Sequence, residues 1–330
     1  MANEPAVPEN QSRPTQRRRR LKAVVHLLIL VVTLAAVGWE VTKAVRELGA
    51  GGSDQAGLAL HPWWLFVSAV AYLAGLALLG IPWKLVLNNA GSSLPLPQVA
   101  GVYLMSHVGK YVPGKAMVLV IRCGIFGPCG VPVGVTILTS FYETFATMAS
   151  GSLASALCLT TFGLPESAAS VLAANDWIFG LVALMLLGFM AAITPLGFGL
   201  FTRVVTLPFA ARPDWRASVV TMFVALMVGL GSWAVIGTSY LAVLNAVAAE
   251  PLGLSVLPLA TAGVAMSIVL GFVSMLPGQV GVRELVLIET LKPLVGAPVA
   301  VTASLAFRLI TIVTELLAAG PLYLWLRPRV

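Results

Sequence analysis

Two short stretches of this chain carry residues able to hold an anion or a proton. In the first, 106–122 (SHVGKYVPGKAMVLVIR), the side chains of His107, Lys110, Tyr111, Lys115 and Arg122 surround the pair Pro113-Gly114. In the second, 275–284 (MLPGQVGVRE), Arg283 and Glu284 follow Pro277-Gly278. Proline removes a backbone donor and glycine weakens a helical turn, so each pair ends one helix and lets another begin. Free N–H groups at a new helix start give that end partial positive charge, which attracts phosphate. With Lys110, Lys115, Arg122 and Arg283 beside such starts, the chemistry on offer is the grip of a phosphate-bearing head group.

Two polar stripes accompany these tips. Ser140, Glu143, Thr144, Thr147 and Ser150 recur at spacings of three and four, as do Ser304, Arg308, Thr311 and Glu315, so each set shares one face of a helix. Ionisable residues inside apolar segments are functional candidates by default, which singles out Glu143, Arg308 and Glu315. The plainer alternative is that they neutralise Lys115, Arg122, Arg283 or Glu284 and hold the broken helices in place. Both can be true together. Glu289 and Lys292 are spaced to pair with each other on one helix, and a lone His107 fits a packing role as well as a titrating one.

Catalytic and metal chemistry find no pattern. The chain has no HExxH, no paired aspartates, no Gly-rich phosphate loop leading to a lysine and no nucleophile elbow. Ser106 and His107 are neighbours in sequence and cannot face each other on a helix. Cys123, Cys129 and Cys158 lack metal-ligand spacing and read as free thiols. No enzyme activity, metal or cofactor is expected.

The elements that must position these residues belong to a membrane. Charged residues make up 10% of the 330, against roughly 25% in soluble domains, and the mean hydropathy is +0.94. The net charge of +7 would suit nucleic acid, but six of the 20 basic residues fall within 13–22, ahead of the first apolar run. Basic residues there keep an N-terminus cytoplasmic, and can touch anionic lipids. Nucleic acid is therefore not an expected partner.

Residues 1–20 read as a disordered basic cytoplasmic tail and 21–330 as one transmembrane domain. Spans are expected at 24–42, 62–87, 132–159, 177–198, 219–246 and 298–326. The interrupted segments 96–127 and 254–295 read as re-entrant hairpins tipped by Pro-Gly, the first entering from the cytoplasm and the second from outside. The fold class is thus all-α and polytopic, with six transmembrane helices plus two re-entrant hairpins. The halves 62–160 and 217–326 repeat the order span, hairpin, long span, with 130–133 (GVPV) matching 296–299 (GAPV). An inverted repeat with broken helices is a transporter signature, with its site near the midplane.

At the two tips the chain resembles the flippase-like transmembrane domain of the lysylphosphatidylglycerol synthases, also found as stand-alone membrane proteins. The residues that carry the resemblance are 110–115 (KYVPGK) with Arg122, 277–284 (PGQVGVRE), and Arg308 with Glu315 in the last span. Gln279 departs from the family, which often has a second glycine there. The synthases' cytoplasmic aminoacyl-transferase domain has no counterpart in this sequence. The resemblance implies an inner-membrane protein that moves a phosphate-bearing lipid, either a phospholipid or a polyprenyl-phosphate-linked sugar. The substrate site would comprise Lys110, Tyr111, Pro113, Gly114, Lys115, Arg122, Glu143, Pro277, Gly278, Arg283, Glu284, Arg308 and Glu315. The alternative is a non-transporting protein that presents lipid carriers to a membrane glycosyltransferase or a lipid-modifying enzyme. In both cases the partners include membrane lipids with anionic head groups.

Overall fold

A computed structural model describes residues 61–111, 116–162, 176–206, 218–274, 279 and 281–326. The expected first span, the basic tail and both Pro-Gly pairs, together with Lys115, lie outside the described residues. Those described form ten α-helices and no strand. In chain order they are α1 (Pro62–Asn89), α2 (Leu96–Ser106), α3 (Ala116–Phe126), α4 (Val133–Phe162), α5 (Asp176–Ile193), α6 (Pro195–Thr206), α7 (Val219–Val247), α8 (Leu257–Val273), α9 (Val282–Val295) and α10 (Ala297–Leu326). A 3₁₀ turn, His107–Tyr111, extends α2, and another, Leu254–Val256, leads into α8.

α1 and α7 form the central seam, and they run antiparallel. The His61 N–H donates to Ala246 O (2.9 Å), Ser239 Oγ donates to Ser68 O (2.8 Å) and Ser232 Oγ to Gly75 O (2.6 Å). At the far end Asn89 Nδ2 donates to Thr221 Oγ1 (2.6 Å). As the number rises on one helix it falls on the other. Small residues let the two backbones approach, as is usual between helices in lipid.

The remaining packing obeys the same exchange of halves. α2 packs on α10 as α8 packs on α4, and α4 touches α7 as α10 touches α1. Within each half the second helix of the pair, α3 or α9, rests on the long helix that follows, α4 or α10. The two matched loops each hold a left-handed glycine, Gly130 (φ +82°) and Gly296 (φ +80°). Such a φ favours glycine.

Among the described residues, four helical segments are long and apolar enough to cross a membrane: α1, α7, Leu254–Val273 and α10. These correspond to expected spans at 62–87, 219–246 and 298–326, and to the first arm of the second expected hairpin. That arm is 20 residues long and could cross alone, which its reading as a short re-entrant arm did not anticipate. α4 has 30 residues, ample length for a span, but it is not among the four. The Ser, Thr and Glu residues of its polar stripe lower its apolarity.

The single return helix expected over 177–198 is corrected. The chain bends by 84° between Ala183–Ile193 and Pro195–Val204. Pro195 cannot donate to the preceding turn. Thr194 caps the break, with its hydroxyl donating to Ala191 O (2.7 Å) and accepting from Gly197 N–H (3.0 Å).

The core lies where α1, α2, α7, α8 and α10 meet, around Trp83, Tyr103, Phe126, Trp233, Tyr240 and Phe307. Outward-facing Leu184, Leu196, Val220, Phe223, Leu317 and Leu324 are well exposed, an apolar surface suited to lipid tails rather than water. Exposed Trp63 starts α1 and exposed Trp325 ends α10, the depths at which tryptophan favours the membrane interface.

Candidate functional site

Among the described residues, the charged side chains buried inside this bundle fall into two clusters. The first joins α2, α3 and α4. Arg122 Nη1 donates to Glu143 Oε2 (2.9 Å), and Arg122 Nε donates to Ser106 Oγ (3.1 Å). The other carboxylate oxygen of Glu143 accepts from Tyr103 OH (2.9 Å) and Thr147 Oγ1 (3.0 Å). The guanidinium also stacks over the Trp83 ring at 4.1 Å from its centroid. Arg122 and Glu143 are 2% and 4% exposed, so the pair is sealed from any solvent or ligand.

The second cluster is assembled from both halves. Lys110 Nζ, in the 3₁₀ turn after α2, donates to Glu315 Oε1 on α10 (2.5 Å). Tyr72 OH of α1 donates to the same oxygen. Arg308 Nη1 of α10 donates to Glu284 Oε1, in the first turn of α9. Glu284 Oε2 in turn accepts from Gly281 N–H (2.7 Å), a cap that fixes the start of α9. Gly281 has φ +84°, which explains a glycine at that position.

Arg283, beside Glu284, behaves differently. It is 7% exposed, yet its Nε and Nη2 have no hydrogen-bond partner, and no carboxylate lies within ion-pair distance, among the described residues. Its guanidinium sits over the Phe307 ring at 4.9 Å. Burying an unpaired charge costs several kcal/mol, so such a group ordinarily awaits a counter-charge. The buried hydroxyls of Tyr111, Tyr240 and Ser304, and Oε2 of Glu315, likewise have no partner among the described residues.

A cavity opens beside this cluster. It is lined by Lys110, Tyr111, Gln279, Arg283, Arg308, Thr311 and Ile312, residues of both halves. Its volume, about 20 Å³, is room for a water rather than a lipid head group. Gln279 follows the second Pro-Gly pair with φ +60°, the one non-glycine residue with positive φ among those described. Its side chain packs against Gly271 of α8, where an added Cβ would lie 2.8 Å from Gln279 Cβ. The left-handed backbone is a physical reason for a glycine to be common there.

Residues 21–319 match the profile described as the lysylphosphatidylglycerol synthase TM region. The chain belongs to that family. Comparison with curated proteins gave no match. Family and apolar helices together make this a multi-pass membrane protein.

Of the residues that the sequence singled out, this member of the lysylphosphatidylglycerol synthase TM family brings Lys110, Tyr111, Arg283, Glu284, Arg308 and Glu315 together around the cavity. Arg122 and Glu143 stand apart in the sealed cluster, where the counter-ion alternative describes them. Pro113, Gly114, Lys115, Pro277 and Gly278 lie outside the described residues. Glu289 and Lys292 pair on the surface of α9 at 3.2 Å. His107 packs on the Tyr103 ring and bonds that residue's carbonyl through Nδ1 (2.9 Å). The three cysteines are free.

Sequence reasoning missed Tyr72, Tyr103 and Trp83. Aromatic residues are ordinary in apolar helices, and only the charged groups they contact, Glu315 for Tyr72, Glu143 for Tyr103 and Arg122 for Trp83, reveal them. Thr139, which accepts from Trp83 Nε1 (3.3 Å), was hidden in the same way.

Proposed function

We propose that this protein moves a phosphate-bearing lipid between the leaflets of the cytoplasmic membrane, gripping the head group at the cavity shared by the two halves. The observation that carries the reading is Arg283, a buried guanidinium at the cavity wall with no counter-charge among the described residues. Lys110 is matched by Glu315 and Arg308 by Glu284, which leaves Arg283 as a cation in excess among the described residues. A phosphate supplies the missing negative charge, and guanidinium groups suit it because their donors form a planar fork.

The antiparallel α1–α7 seam and the matched packing of the halves support an inverted repeat, the architecture in which two halves rock about a fixed site. In this reading the tips after α2 and α8 are re-entrant, and the N-terminus is cytoplasmic. The cavity is closed down to the size of a water, so the arrangement corresponds to an occluded state that must open to admit a head group. The protein acts without chemistry on the lipid, and its partners are lipids with anionic head groups.

Leaflet-resolved transport of labelled phospholipid in proteoliposomes tests this. Arg283→Ala and Arg308→Ala are expected to reduce the rate at least about tenfold, the cost of one lost charge-assisted contact. Wild-type rates in both variants would remove the site assignment. Lipid that binds but is never moved would favour the carrier-presenting alternative.

A further inference from the structure

Glu315 is the feature that lipid binding alone does not explain. It is 1% exposed, and of its two carboxylate oxygens only Oε1 is bonded, by Lys110 and Tyr72. Oε2 is buried with no partner among the described residues. Lys110 is its only ion-pair partner there, and Lys110 also lines the cavity, whereas Glu315 does not. The lysine therefore sits between an internal carboxylate and the place where an external anion would arrive.

We propose that head-group binding at this site is coupled to uptake of one proton by Glu315. The inference rests on the anion-binding reading above and goes on to name what is exchanged. In the empty site Glu315 stands in for the substrate by neutralising Lys110. A phosphate entering the cavity accepts the Lys110 hydrogen bond in its place, and the ammonium keeps its proton. Glu315 is then left with the Tyr72 hydroxyl alone. A fully buried carboxylate without a cation is too costly to keep, so it takes a proton from bulk water on Oε2, the oxygen with no partner.

The charged or titratable groups around Glu315 are Tyr72 from α1, then His107, Lys110 and Tyr111 from the 3₁₀ turn, Arg283 from α9 and Arg308 on α10 itself. Arg308 is held by Glu284, and Arg283 faces the incoming phosphate. His107 is the rival proton acceptor through Nε2, because its Nδ1–H donates to the Tyr103 carbonyl. Protonating it would place a second cation beside Lys110 and leave Glu315 buried and charged, whereas protonating Glu315 removes a buried charge. The exchange therefore falls to Glu315.

The test is calorimetric. The full chain, in nanodiscs of phosphatidylcholine, is titrated near neutral pH with short-chain phosphatidylglycerol in two buffers of different ionisation heat, neither of them a phosphate. The difference in heat gives the protons taken up per lipid bound. Wild type is expected to take up roughly one. Glu315→Gln should take up close to none while binding several-fold more tightly, because no carboxylate then competes for Lys110. His107→Gln should keep the uptake. Binding without proton uptake in wild type, unchanged uptake in Glu315→Gln, or uptake lost in His107→Gln would each overturn the coupling and leave the anion site standing. Failure of phosphatidylglycerol to bind wild type at all would overturn both.

Discussion

The two halves of the protein use one device with opposite polarity. In each, a buried ion pair ties the second helix of the pair to the long helix that follows. In the first half the cation is on the short helix and the acid on the long one (Arg122 of α3, Glu143 of α4). In the second half the acid is on the short helix and the cation on the long one (Glu284 of α9, Arg308 of α10). The first pair is complete, since every bond that Glu143 needs comes from Arg122, Tyr103 and Thr147. The second borders a cavity and has Arg283 beside it with bonds unmade. A satisfied cluster fixes geometry, while an unsatisfied one is poised to take something else. In the proposed function the contrast separates scaffold from site within residues of the same chemical type.

The sharpest way to break this comparison is to take one partner from the sealed cluster. Arg122→Met leaves Glu143 buried without a cation and should cost about 3–5 kcal/mol, enough to lower the yield and the melting temperature of the purified protein. Arg283→Ala should do the reverse. It removes a charge with no ion-pair partner among the described residues, so thermal stability should hold or rise by up to about 2 kcal/mol while anion binding falls. A melt as damaging as that of Arg122→Met would place Arg283 in the scaffold.

Gly281→Ala sharpens the picture at intermediate cost. Nothing lies within 4 Å of the added Cβ, so the expected loss of about 1–2 kcal/mol comes from the left-handed backbone alone. Chemical denaturation would measure it. Lys292→Ala removes a pair whose side chains are 43% and 47% exposed. Its effect on the melting curve should stay within about 0.5 kcal/mol, because exposed pairs contribute little.

Much of this arrangement was legible in the sequence, for reasons that can be stated. A glycine two residues ahead of a proline at 130–132 and again at 296–298 marks two breaks between helices, and both glycines are left-handed. The stripe of Ser304, Arg308, Thr311 and Glu315 repeats at helical spacing, and all four are buried on α10. The bend at Thr194 was not seen, although Pro195 was in view. The residues around it stay apolar, so hydropathy runs on smoothly through a break that only the backbone records.

Pairing was the least legible part. Lys110 and Glu315 are 205 residues apart, and Tyr72 reaches Glu315 across 243. Nothing local in the sequence says which acid answers which cation. That Arg122 takes Glu143, leaving Arg283 without an ion pair among the described residues, follows from how the halves interlock.

The central claim is that the cavity cluster binds an anion and the sealed cluster only supports it. Its most direct test is equilibrium binding of phosphatidylglycerol to three purified forms in neutral nanodiscs: wild type, Arg283→Ala, and the double variant Arg122→Met with Glu143→Leu. The double variant replaces a buried pair by apolar groups of similar size, which buried pairs often tolerate. Affinity should fall at least about tenfold in Arg283→Ala, by the loss of one charged contact, and stay within about threefold of wild type in the double variant. Equal affinity in wild type and Arg283→Ala, with binding lost in the folded double variant, would contradict the account.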